Sequence, residues 1–115
     1  MTFDEYQKQA LTTDFGSNVE DRSVASLSFM SKVLGLVGET GEIAEKLKKV
    51  YRDDGGEMSD EQKADTIKEL GDVVWYIAVL AEYLGYTFED VAQANLDKLS
   101  SRKKRGTLPG SGDNR

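Results

Sequence analysis

The chain has 115 residues, 38% hydrophobic and 31% charged: material for one domain with a thin core and much wet surface. It holds no cysteine and no histidine, so disulfides, thiolate chemistry and imidazole bases are excluded, and any metal must be bound by oxygen. The net charge of −6 is split, with +4 on residues 102–115 and −10 on residues 1–101, and so acidic a body disfavours nucleic acid.

In chain order, Phe3, Tyr6 and Ala10 share one side of a short helix over 3–11. The opening "MTFDEYQKQA" contains Asp4 and no apolar core, so it lacks secretory character, and no apolar run reaches 18 residues, so no membrane span is expected. A cytoplasmic protein is the expectation. The polar "TTDFGSNVEDRS" reads as loop. From about 23 to 51, Leu36, Ile43, Leu47 and Val50 recur at helical steps until "RDDGG" stops them. Ser59 and Gln62 form a capping box that opens a third helix, running to about Leu84 with Gly85 as its C-cap. Thr87 caps a last helix from Phe88 to Lys104. The expected fold is all-α: a bundle of about four helices, two of them long, central and antiparallel. Residues 1–105 are read as the domain and 106–115 as a Gly-rich basic tail.

The third helix is the most apolar segment, with Leu70, Val73, Val74, Ile77, Leu80, Ala81 and Leu84 on one broad face. Asp65, Glu69 and Asp72 form a neighbouring stripe that continues into Tyr76, Val79 and Tyr83, while Trp75 projects from another side. A helix apolar nearly all round must be covered all round, and 115 residues offer little cover. Homo-oligomerisation is therefore expected. The second helix carries Gly35, Gly38 and Gly41, each costing about 1 kcal/mol relative to Ala. Either they form a bare stripe for close approach of a helix or ligand, or they bend the helix.

Glu39 and Glu42 border the apolar face of the second helix, while Glu45 points toward water. Glu69 and Asp72 are spaced alike on the third, so each i, i+3 pair shares one face. Taken singly, such acids are ordinary surface residues. Brought together across two antiparallel helices, four carboxylates repel, and a divalent cation resolves the repulsion. Mg²⁺, with Mn²⁺ as a substitute, suits carboxylate and water oxygens and bridges to phosphates; zinc is a poor candidate without His or Cys. On the last helix Asn95, Lys98 and Arg102 fall on one face whose donors suit phosphate oxygens. The same basic end also suits a helix C-terminus in water.

The segments "GLVGETGEIAEKLKK", "KELGDVVWYIAVLAEYLG" and "FEDVAQANLDKLSSRKKRG" resemble the MazG-like branch of the all-α nucleoside triphosphate pyrophosphohydrolases over roughly residues 30–105. The family pattern is Glu-Glu-x-x-Glu and then Glu-x-x-Asp. Here the second half is intact, whereas Gly38 stands in place of the leading Glu of the first. The resemblance implies Mg²⁺-dependent hydrolysis of a nucleoside triphosphate to monophosphate and pyrophosphate, by a homodimer or homotetramer. It implies Glu39, Glu42, Glu69 and Asp72 as metal ligands and Asn95, Lys98 and Arg102 as triphosphate contacts. Glu42 is the residue expected to activate the attacking water. House-cleaning of canonical or non-canonical nucleotides is the expected role. A dUTP- or dCTP-directed diphosphatase, a phosphoribosyl-ATP pyrophosphohydrolase and a non-catalytic adaptor binding through Trp75 and Tyr76 are the alternatives.

Overall fold

The computed structural model describes residues 1–15 and 21–115. Four helices make up its regular structure: α1 (Phe3–Leu11), α2 (Leu27–Asp53), α3 (Asp60–Tyr83) and α4 (Phe88–Lys104). The described residues include no strand, as an all-α reading requires. Part of the expected loop over 12–23, residues 16–20, lies outside the described residues; the rest of it is irregular.

Local chemistry sets the helix ends. The Thr2, Ser59 and Thr87 hydroxyls each accept the backbone N–H three residues on, and Glu5, Gln62 and Asp90 reciprocate, giving three capping boxes. The second helix starts four residues later than the periodicity suggests. Ser23 is diverted, because its hydroxyl and its N–H both donate to Asp21 Oδ1, and Ser26 takes the cap by accepting from Phe29 N at 3.0 Å. Past α3, Gly85 adopts φ 80°, and Tyr86 N donates to Ala81 O at 2.9 Å, closing the helix end.

Helices α2 and α3 form an antiparallel hairpin. Its register is visible in three cross-contacts: Phe29 against Tyr83, Gly35 against Tyr76, and Lys46 with Glu69. Gly35 is required by packing, since a Cβ there would lie 2.3 Å from the Tyr76 ring. Gly38 and Gly41 face open space, so only the first of the three glycines serves a close approach within one chain. The α1 helix lies across α3 and the start of α4. Buried Gln7 donates to Ala78 O (2.9 Å) and Tyr86 O (3.2 Å) and accepts from Phe88 N (3.1 Å), stitching three helices together. Trp75 Nε1 donates to Ala10 O and Thr13 Oγ1, and Lys32 pairs with Asp14, whose Oδ2 accepts from the Tyr83 hydroxyl.

The core is small: Ala10, Val50, Ala78, Val79, Ala81, Tyr83 and Phe88 are its buried apolar residues. On α3 the deepest side chains are Ala78 and Val79, on the side facing the other helices, while Leu70 and Leu84 stay exposed. On α2, Leu27, Met30, Leu34 and Val37 form an exposed stripe at helical spacing, Leu27 at 88%. The radius of gyration is 17.0 Å, against about 13 Å for a compact chain of this length. One copy does not close on itself.

Gly35→Ala is expected to destabilise the protein by about 1–3 kcal/mol through overpacking against Tyr76. Gly41→Ala should be neutral or stabilising by up to about 1 kcal/mol, from helix propensity alone. Urea-unfolding midpoints of the two variants check the contrast.

Candidate metal centre

The hairpin register decides which acids meet. Glu39 and Glu42 come from the middle of α2, Glu69 and Asp72 from the middle of α3, and the antiparallel arrangement lays one pair beside the other. Carboxylate oxygens of Glu39, Glu69 and Asp72 lie within 4.8 Å of one another; Glu39 and Glu69 are half-buried and Asp72 is exposed. Glu42 is exposed and stands outside this close group, although its charge still reaches Glu39. Burial, then the like charges of Asp72, Glu69 and Glu42, push the Glu39 carboxyl above its usual range. The stripe's third acid, Asp65, pairs instead with Lys68 at 3.0 Å, while Glu45 forms ion pairs with Lys48 and Lys49.

Lys46, which the sequence reading passed over, sits at this centre. Its Nζ lies 3.0 Å from Glu69 Oε1, and that hydrogen bond holds its ammonium more firmly protonated than usual. The signal was there: Lys46 is four residues beyond Glu42 and seven beyond Glu39, on the same helix face. One ammonium against four neighbouring carboxylates leaves the centre with surplus negative charge. All the donors are hard oxygens, and about 4.2 Å separates opposite ligands of Mg²⁺, so small side-chain adjustments suffice to close the three around an ion. The residues fit a hard divalent cation.

Two cavities border α4. One, of about 470 Å³, is lined by Phe3, Tyr6, Val74 and Phe88 among others, with Phe3 edge-on to Phe88 at 4.8 Å. Burial, then the charge of Asp72, pushes the Tyr6 phenol up, and Val74 in the cavity lining lies two residues beyond Asp72 on α3. The other, of about 770 Å³, lies between the C-terminal part of α3 and α4, with Asn95 and Lys98 in its wall. Arg102 is 5% exposed, and its Nη2 lies 3.2 Å from Gly112 O, Asp113 O and Asp113 Oδ1. The structure therefore brings Glu39, Glu69 and Asp72 together in one place, and Lys98 and Arg102 together in another. Among the described residues α4 contacts α1 and α3 but not α2.

An all-α hairpin that brings carboxylates from both helices to one point offers a set of hard oxygen donors, of the kind that suits a divalent cation. The chain belongs to the MazG nucleotide pyrophosphohydrolase family, whose domain profile matches residues 27–107, from α2 to just past α4. Members of this family generally depend on a divalent metal. The "Gene 37 protein" of Mycobacterium phage L5 is 47% identical over 116 residues, covering 100% of both chains. The uncharacterized protein YvdC of Bacillus subtilis (strain 168) is 39% identical over 72 residues, which is 58% of this chain and 68% of YvdC. No solved structure gave a significant match.

Without divalent cation, Glu39→Gln is expected to raise the melting temperature by a few degrees, because it removes one of the mutually repelling charges. Added Mg²⁺ should raise the wild-type value and move the variant much less, as a ligand selective for the folded state must. Thermal unfolding with and without Mg²⁺ checks both signs.

Proposed function

We propose that the protein is a Mg²⁺-dependent nucleoside triphosphate pyrophosphohydrolase, releasing a nucleoside monophosphate and pyrophosphate. The observation that carries this reading is the convergence of Glu39, Glu69 and Asp72 in a chain of this family. These three hold the cation, with Glu42 at the solvent edge of the set; Mn²⁺ is an acceptable substitute. A hard divalent cation bound there supplies neutralising charge to the phosphate oxygens as pyrophosphate departs. Glu42, exposed and next to the cluster, takes the proton of the attacking water. Asn95, Lys98 and Arg102 bind phosphate oxygens. The nucleobase is read by the aromatic cavity of Phe3, Tyr6 and Phe88, whose Tyr6 feels the charge of Asp72.

The active form in this reading is a homodimer or homotetramer. Its support is the exposed stripe Leu27, Met30, Leu34 and Val37, together with the extended single chain. A second copy would cover the stripe and bring more side chains to the cleft. The natural role that follows is house-cleaning of canonical or non-canonical nucleotides. An adaptor reading is less favoured, because Trp75 is tied to α1 and the Tyr76 ring fills the hollow at Gly35.

A panel of canonical and modified nucleoside triphosphates with Mg²⁺ should give monophosphate and pyrophosphate as first products; orthophosphate as the first product contradicts the reading. Glu69→Gln should lower that activity by roughly 100-fold or more, the scale of losing one key electrostatic contact to a transition state. Full activity in the variant removes Glu69 from the ligand set.

A further inference from the structure

The last residues of the chain are a built loop rather than a loose end. After α4 the chain doubles back, with Gly112 at φ 84°, and the Arg115 guanidinium donates to Gly112 O and Leu108 O. The loop is anchored on Arg102, whose buried Nη2 meets two of its carbonyls and the Asp113 carboxylate. The same Asp113 Oδ1 lies 3.5 Å from Lys98 Nζ. One carboxylate oxygen is thus shared by the two cations of the α4 donor face. Lys98, then Arg102, hold the Asp113 carboxyl below its usual range, so it is an anion at any pH near neutrality.

Two further details distinguish this contact from ordinary surface pairing. Arg102 is almost fully buried, yet its Nε has no hydrogen-bond acceptor among the described residues. A buried guanidinium N–H without a partner is costly, and a tetrahedral phosphate offers more oxygens to this seat than one exposed carboxylate does. Asp113 itself is 83% exposed at its side chain, so it can leave the seat without opening a core.

We propose that Asp113 is a built-in placeholder for a substrate phosphate: its carboxylate occupies the Lys98–Arg102 seat and must be displaced when polyphosphate binds. The inference rests on the reading of Lys98 and Arg102 as phosphate contacts and adds to it a residue that sets affinity. A carboxylate tethered eleven residues from Arg102 competes at an effective concentration on the order of millimolar. It therefore weakens binding of phosphates that hold the seat poorly. A triphosphate, with more charge to offer, displaces it more readily than a monophosphate product does.

The test is calorimetric binding of inorganic pyrophosphate and of inorganic phosphate, with Mg²⁺, to the full-length wild type, Asp113→Asn, Lys98→Gln, the double variant and Asp97→Asn. The backbone carbonyls of Gly112 and Asp113 still anchor the loop in Asp113→Asn, so the seat is emptied of charge without releasing the tail. Asp113→Asn is expected to bind pyrophosphate about five-fold more tightly, the scale of one exposed ion pair. Lys98→Gln should bind it more weakly, and the gain from Asp113→Asn should vanish in the double variant. Asp97→Asn removes an equal charge from the wall of the same cavity, where Asp97 Oδ1 accepts from Gln93 Nε2 rather than from Lys98 or Arg102, and should gain clearly less than Asp113→Asn. If Lys98→Gln has no effect, the phosphate reading of the face is wrong. If Lys98→Gln weakens binding but Asp113→Asn weakens it too, leaves it alone, or gains no more than Asp97→Asn, the phosphate reading stands and the placeholder is overturned.

Discussion

The antiparallel seam between α2 and α3 is the constraint on which the rest depends. Its register is held by the Tyr76 ring in the hollow at Gly35 and by the Lys46–Glu69 ion pair. Between these two fixings lie Glu39 and Asp72, and Glu69 is itself part of the second. A slip of a single residue would turn each side chain by about 100° about its helix, and the three carboxylates would no longer meet. The packing that holds them together also desolvates Glu39 and sets like charges beside it, and burial first, then those charges, make it protonate more readily than an isolated carboxyl. A hard cation among these oxygens would offset that repulsion.

Much of this was legible in the sequence because the signals are local. The capping boxes at Ser59 and Thr87 and the glycine after Leu84 place the ends of α3 and α4 to within a residue. The i, i+3 spacing of the acids and the presence of a hairpin predict two pairs at one seam; Glu39, Glu69 and Asp72 do meet there, while Glu42 stands outside the close group. What the sequence could not give was anything set by tertiary partners. Ser23 looked like the start of α2 until Asp21 captured its hydroxyl. The helical count puts Trp75 only on another side of α3, with no partner named; its indole N–H is tied to Ala10 and Thr13, 65 and 62 positions earlier. Lys46 shares a helix face with Glu39 and Glu42, which is a local signal, but its pairing with Glu69 is set only by the register of α3.

The remaining features go with helices that one chain leaves thinly covered. A small core, a stripe of exposed apolar residues on α2 and an extended outline belong together. Buried polar ties compensate in part. Gln7 joins α1 to the α3–α4 turn, and Lys32 with Asp14 and Tyr83 joins both long helices to the segment after α1. At the other end, Arg102 does the same for the tail. Hydrogen bonds with fixed geometry thus position elements that apolar contact alone would leave loosely docked.

The proposed chemistry requires that the carboxylates of the seam bind one cation in common. A crystal of the protein grown or soaked with Mn²⁺, read by its anomalous signal, addresses this directly. The expected result is a peak at bonding distance from oxygens of Glu39, Glu69 and Asp72. A well-ordered crystal with the three side chains in density and no peak among them, or a peak held by other residues alone, would contradict it.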